Sequence, residues 1–172
     1  MRKLVTIVAV SVILLGIAST AQHLRAQSTA AADDKAAIRA LYTDWNNAFM
    51  KKDVDKIMSF YAPDMFAFDA VPPREYPTWA AYKKDFQTFL GMFPGPITST
   101  INELNITVVG TVAYTRSIGD GTYGNADGTK AHMVVRITDV LRKSAGKWRI
   151  VQEHVSFPVD PTTGKADMLS KP

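Results

Sequence analysis

His132, Arg136, Thr138, Gln152, His154 and Ser156 are the residues whose types and spacing most readily suggest chemistry. They fall at even positions in two segments, 130–142 and 148–159, that read as β-strands, and strand side chains reverse direction at every residue. In the first segment His132, Val134, Arg136, Thr138 and Val140 share one face, opposite Met133, Val135, Ile137, Asp139 and Leu141. In the second, Trp148, Ile150, Gln152, His154 and Ser156 share one face, opposite Arg149, Val151, Glu153 and Val155. Two imidazoles, a guanidinium, hydroxyls and an amide make the first face of each pair too polar for an ordinary core. Trp148 and Ile150 make it too apolar for open solvent. A polar-lined cavity between the sheet and covering helices satisfies both demands; the alternative is a solvated sheet face. In such a cavity Arg136 or His154 would neutralise charge developing on a carbonyl or carboxylate oxygen, and His132, Thr138 and Gln152 would bind the ligand. Structural partners are equally open, Glu103 or Asp69 for Arg136 and the Ser156 hydroxyl for His154.

Other chemistries find less support. The histidines lie singly on separate strands, without the His-x-His or His-x-x-x-His spacing that builds a metal site, so no metal is expected. The Gly119-Asp120-Gly121 stretch lies in a hairpin with no helix behind it to receive a phosphate, and there is no dinucleotide fingerprint or serine elbow. Cysteine is absent altogether, which removes disulfides, thiolate ligands and thiol nucleophiles. No cofactor is expected.

The elements that must position these residues follow from periodicity. Ile38, Leu41, Trp45, Ala48 and Phe49 form one stripe of an amphipathic helix over about 33–51, with acids at its start and Lys51 and Lys52 at its end. A shorter helix from Asp53 buries Val54, Ile57, Met58 and Tyr61 until Pro63 stops it. Met65 to Asp69 reads as a short strand, broken by Val71-Pro72-Pro73. Thr78 opens a third helix with Trp79, Tyr82, Phe86, Phe89 and Leu90 on one side. The remainder is strand-like: 97–109, 112–118, 130–142 and 148–159, with a glycine-rich loop from Gly119 to Gly128 and a turn at Ser144-Ala145-Gly146. Short turns between successive strands predict an antiparallel meander, and helices followed by sheet predict an α+β domain. The aromatics are mostly core by this reading, with Trp45, Tyr61, Trp79 and Tyr114 placed at the pocket as ligand contacts.

The N-terminus, with Met1, Arg2 and Lys3 ahead of an apolar run from Leu4 to Ala18, reads as a signal peptide over 1–26, cut after Ala21 or Ala26, so the mature protein is expected to be periplasmic or secreted. Arg2, Lys3 and Arg25 are three of the 20 basic residues, and their loss leaves 17 against 16 acidic. A near-neutral mature chain gives no reason to expect nucleic acid or a membrane surface as partner. Residues 27–32 read as a flexible tether, 33–160 as one domain and 161–172 as a C-terminal tail.

Arg136-x-Thr138, Gly146-Lys147-Trp148-Arg149-Ile150-Val151 and His154-x-Ser156-x-Pro158, with Trp45-Asn46-x-Ala48, Asp53-Val54-Asp55-x-Ile57 and Tyr61-Ala62-Pro63-Asp64 upstream, resemble the NTF2-like superfamily. Within it they resemble the SnoaL-like and ketosteroid-isomerase-like branch, and they are also similar to the association domain of calcium/calmodulin-dependent kinases. The resemblance implies a cone of three N-terminal helices packed on a curved, mainly antiparallel sheet. It places the isomerase base on Asp69. The oxyanion tyrosine of that family falls on Trp45 and its protonated aspartate on Thr138, so both oxyanion donors are altered and a true ketosteroid isomerase is disfavoured.

Two functions follow as expectations. One is proton transfer beside a carbonyl, in an isomerase, cyclase or dehydratase, with Asp69 as base and Arg136 or His154 balancing charge. The other is a binding or structural module for a small apolar or carboxylate-bearing ligand, with Arg136 as anion anchor. A capping role for Asp69 at the strand end competes with the base role. Val135, Ile137, Val151 and Val155 are expected to face outward as an apolar row that pairs two copies in a homodimer.

Overall fold

The computed structural model describes residues 29–169; the expected leader and its cleavage positions lie outside them. Compact units divide between Ala36 and Ala37, and the description below concerns the unit from Ala37 onward. Helix α1 covers 29–50, so residues 29–32, expected as a tether, are helical. Three consecutive alanines, Ala30 to Ala32, carry high helix propensity.

Within the second unit α1 buries Ile38, Leu41, Tyr42, Ala48 and Phe49. Asp53 caps α2 (Val54–Met58) by accepting from the Lys56 amide at 3.0 Å. This helix is one turn long, because Tyr61 already opens strand β1 (Tyr61–Phe68). Pro63 is accommodated where the pairing of β1 breaks register, a position that asks for no ladder N–H. Thr78 caps α3 (Trp79–Gly91), accepting from the Ala81 amide at 3.2 Å. The expected three N-terminal helices therefore become two substantial ones, α1 and α3, with β1 threaded between α2 and α3.

Four long strands follow: β2 (Ile97–Val109), β3 (Val112–Gly124), β4 (Lys130–Ser144) and β5 (Lys147–Ser156). The sheet order is β1-β5-β4-β3-β2, with β1 parallel to β5 and every other pair antiparallel. The core lies on the sheet face toward the helices, where Ile38, Tyr82 and Phe86 cluster with Met65, Leu141 and Ile150.

The glycine-rich stretch expected as a loop is largely strand, and the β3–β4 turn shrinks to 125–129. Gly95 and Gly124 make this possible, since a Cβ on Gly95 would stand 2.9 Å from the Gly124 Cα. The backbones instead exchange bonds of 3.0 and 2.9 Å (Gly95 N–H to Gly124 O, Gly124 N–H to Pro96 O), which ties the exit of α3 to the end of β3.

One irregularity decides the faces. Val140 pairs with Gln152 but Leu141 pairs with Ile150, so Val151 is an extra residue in β5. Such a bulge reverses the side-chain parity of everything beyond it. Trp148 and Ile150 face the core, and so do Glu153 and Val155.

The segment after β5 folds back on the domain. Val159 and Ala166 form an antiparallel bridge around a turn built on Asp160, and the Val134 amide donates to the Met168 carbonyl at 2.8 Å.

Candidate functional site

Register places Ile106, Thr115, Asp139, Glu153 and Ala67 in one row across all five strands, on the inner face. Two carboxyls thus stand side by side in the core, Asp139 at 0% and Glu153 at 5% exposure. Neighbouring buried carboxylates cannot both ionise cheaply. Burial, before any other cause, pushes Asp139 up to about 7; burial and then the Asp139 charge push Glu153 well above the usual carboxylate range. The pair therefore retains a proton under conditions where free carboxyls have lost theirs.

Tyrosines from the covering elements meet this pair. Tyr42 of α1 donates to Asp139 Oδ2 at 2.5 Å, and its oxygen lies 2.6 Å from Thr115 Oγ1. Tyr61 donates to Glu153 Oε2 at 2.8 Å and accepts from Trp45 Nε1 at 3.1 Å. Tyr82 of α3 contacts Glu153 Oε1 and also Asp69 Oδ2, the latter at 3.0 Å. All three phenols are raised well above their ordinary value, burial first and the carboxyl charges next, and serve as neutral hydrogen-bond donors.

Tyr82 has a single proton for two carboxyls. Both contacts are hydrogen bonds only when one carboxyl is protonated and donates to the phenol oxygen. Either Asp69 carries the proton and Tyr82 donates to Glu153, or Glu153 carries it and Tyr82 donates to Asp69. The two states differ by the transfer of one proton through the Tyr82 hydroxyl. Burial and the nearby Asp85 charge raise Asp69, opposed by the Tyr82 bond and the Ala70 amide 2.5 Å from Oδ1. Glu153, with Asp139 beside it, is the deeper of the two and the better proton store.

Asp69, Tyr82 and Glu153 line a cavity of about 630 Å³ whose other walls are mostly apolar. Trp45, Phe49, Phe86, Phe89 and Phe93 come from the helical side; Ile101, Tyr123, Met133, Val135, Ile137 and Val155 come from the sheet; Phe157, Ala166 and Met168 come from the C-terminal segment. Gly119 and Gly121 leave the sheet floor open, and a Cβ at Gly121 would sit 2.5 Å from the Tyr123 hydroxyl.

Of the residues expected at the site, Asp69 and Trp45 line the cavity. His132, Arg136, Thr138 and His154 are exposed on the opposite sheet face, with Gln152 half-buried beside them. The expectation failed because it ran parity straight through Val151. Arg136 donates to the Phe157 carbonyl at 2.9 Å, His132 meets Asp120 at 2.7 Å and His154 packs edge-on to Phe68. Tyr114 lies on the outer face at 55% exposure. Tyr61 is buried behind the cavity, and Trp79 lines a separate hollow with its Nε1 on the Met58 carbonyl at 3.1 Å. Val135, Ile137 and Val155, expected outward, are cavity wall, so the apolar row expected to pair two copies does not exist.

Asp139, Glu153, Tyr42 and Tyr82 were missed as functional groups. A signal was present: Asp139 interrupts an otherwise apolar face of Met133, Val135, Ile137 and Leu141, and Glu153 lies between Val151 and Val155. A lone acid in an apolar stripe marks a buried, partnered carboxyl.

A SnoaL-like domain model matches residues 38–160. Among solved structures, an NTF2-like protein of unknown function from Pseudomonas putida superposes with a TM-score of 0.73 at 28% identity, over 84% of this chain and 98% of that one. A candidate scytalone dehydratase from Novosphingobium aromaticivorans gives 0.65 at 16% identity, over 81% and 95%. A ketosteroid isomerase-like protein from Erwinia carotovora gives 0.61 at 22%, over 70% and 93%. The last two establish likeness of fold alone. No curated protein matches the chain.

Proposed function

Because this chain belongs to the SnoaL-like family of the NTF2-like superfamily, and because its cavity ends on Asp69, Tyr82 and Glu153, we propose that it is a cofactor-independent enzyme that moves a proton beside the carbonyl of a small, largely apolar substrate. The observation that carries this reading is the position of Asp69: a carboxylate on the wall of an apolar cavity, held by a phenol that is itself backed by a buried acid. Asp69 takes the proton as the carbon–hydrogen bond breaks, and the electron pair passes into the enolate. Tyr82, backed by protonated Glu153, replaces the oxyanion donors missing at Trp45 and Thr138: as Asp69 takes the substrate proton it no longer needs the Tyr82 O–H, which turns to the developing negative oxygen in a site of low polarity. Returning the proton to another carbon completes an isomerisation; expelling a β-hydroxyl as water completes a dehydration. The scytalone dehydratase and ketosteroid isomerase names attached to structural neighbours agree with this class of reaction.

The test is a panel of β,γ-unsaturated and β-hydroxy ketones followed by absorbance of the conjugated product. Turnover is expected for at least one member, with Asp69→Asn lowering kcat by about 10²- to 10⁴-fold and ligand affinity changing far less. If panel members bind the wild-type protein and none is converted above the buffer rate, the enzyme reading fails. The second reading, a binding module, then stands; it is favoured by the fact that each hydroxyl and carboxyl at the cavity end already has a protein partner.

A further inference from the structure

The ionisable groups on the cavity wall are all of one sign. Asp69, Asp85 and Glu153 contribute to the lining, and no lysine, arginine or histidine does; Asp120 borders it too, but its carboxylate is turned to His132 on the outer face. Among the described residues no ion pair reaches Asp69, Asp85 or Glu153. The nearby cations are engaged elsewhere: Lys52 is held by the Phe93 and Gly95 carbonyls, His132 by Asp120 on the outer face, and Lys83 by Asp55. An anionic ligand in this cavity would meet no counter-charge and the like charges of Asp85 and Asp69. A carboxylate-bearing ligand anchored by Arg136, one of the two expected from the sequence, has no anchor inside.

Asp85 has no part in the proton transfer proposed above. It projects from α3 one turn after Tyr82, and its Oδ1 accepts from the Tyr76 hydroxyl at 2.7 Å. That hydroxyl also lies 2.9 Å from the Pro72 carbonyl. A phenol with one proton and two acceptors supplies Asp85 with at most a shared bond. The carboxylate has lone pairs left over, and its charge acts on Asp69. The same cavity is walled largely by aromatics, Trp45, Phe49, Phe86, Phe89 and Tyr123, and ring faces attract a cation through their π-electrons. The volume of about 630 Å³ is that of a small-molecule site. The cavity is therefore the site, and the carboxylates and rings decide the charge of its occupant.

We propose that the cavity selects a ligand with an apolar, ring-bearing body and one protonated amine, and that Asp85 seats the amine. This deepens the reading of the cavity as a substrate site. A cationic substituent would also offset the negative charge that grows on a substrate oxygen when Asp69 takes a proton, so substrate selection and rate draw on one arrangement.

Three probes of one shape and different charge test it: 2-naphthylmethylamine, 2-naphthalenemethanol and 2-naphthoate, titrated calorimetrically into the full chain at low and high salt. The amine is expected to bind at least about tenfold tighter than the alcohol, with naphthoate weakest and the amine's advantage shrinking as salt screens it. Asp85→Asn keeps an acceptor for Tyr76 and removes the charge; it should cut the amine's advantage at least about fivefold while the alcohol's Kd holds. Naphthoate binding as tightly as the amine, an advantage that survives Asp85→Asn, or failure of all three probes to bind would each overturn the proposal. Asp69-dependent conversion of neutral ketones alongside probes that do not discriminate by charge would overturn this inference and leave proton transfer standing. Amine selectivity without any turnover would do the reverse.

Discussion

Both faces of the central sheet carry polar groups and treat them differently. On the outer face Arg136, Thr138 and His154 stand in solvent, and Arg136 and His154 have neighbours that water could replace: a carbonyl and a ring edge. On the inner face Asp139 and Glu153 are buried and accept hydrogen bonds from Tyr42, Tyr61 and Tyr82 in place of water. A polar residue type in a strand therefore says little about function until its face is known. Burial turns an ordinary carboxyl into a proton store, and exposure leaves an imidazole or a guanidinium as a surface group.

Glu153→Ala should break the inner face most severely. It strands the Tyr61 O–H as a donor, leaves Tyr82 with Asp69 alone, and opens a void beside Asp139. The stranded donor costs about 1–3 kcal/mol and the void adds to it, so a total loss on the order of 2–4 kcal/mol is expected in urea unfolding, with Glu153→Gln losing less because its amide oxygen still accepts. A cost below about 1 kcal/mol for the alanine variant would mean that these groups do not depend on one another.

Much of the fold was legible because local rules sufficed. Period-two alternation and breakers bounded β2 at Ile97 and Val109, where the strand in fact begins and ends, and Thr78 as N-cap located α3. The site was legible only as far as the bulge. One extra residue, Val151, has no side-chain signature of its own; the bulge is a property of how β5 pairs with β4 and not of either strand's sequence alone. Beyond it the face assignment inverted, so His154 was placed in the cavity and Glu153 outside. On β4, which has no bulge in its own chain, the error came by association: its polar face was matched to the face of β5 that held Trp148 and Ile150. Asp69 escaped both errors because its place depends on β1 and the family pattern.

The proton retained by the Asp139–Glu153 pair gives the comparison a pH signature. Asp139 holds its proton up to about 7 when folded and, once unfolded, only to the ordinary carboxylate range near 4. Between those values the folded state binds more protons than the unfolded one, so stability falls as pH rises. The stabilisation is complete below about pH 4 and gone above about 7. Wild-type protein should lose a few kcal/mol between these limits from this pair, on the order of 1.4 kcal/mol per pH unit per group. Asp139→Asn, which cannot titrate, should flatten part of that slope. Denaturant unfolding at pH 4.5 and 7.5 reads both, and equal slopes in the two proteins would place the proton elsewhere.

The outer face supplies the smallest expected effect and the sharpest control. His154 and Arg136 carry the groups most often found in active sites, so substituting them separates residue type from position. His154→Ala removes an edge contact with Phe68, and Arg136→Ala removes one bond to the Phe157 carbonyl; each should change stability by about 0.5 kcal/mol or less, as exposed substitutions do. Ligand affinity and turnover should stay within about twofold of wild type. Arg136 is the more demanding case, because Phe157 is cavity wall and a loosened carbonyl could move its ring. If Arg136→Ala weakened binding while His154→Ala did not, the cause would be displacement of Phe157, and restoring the bond with Arg136→Lys should recover affinity. If both variants abolished binding, the assignment of inner and outer faces would itself be wrong.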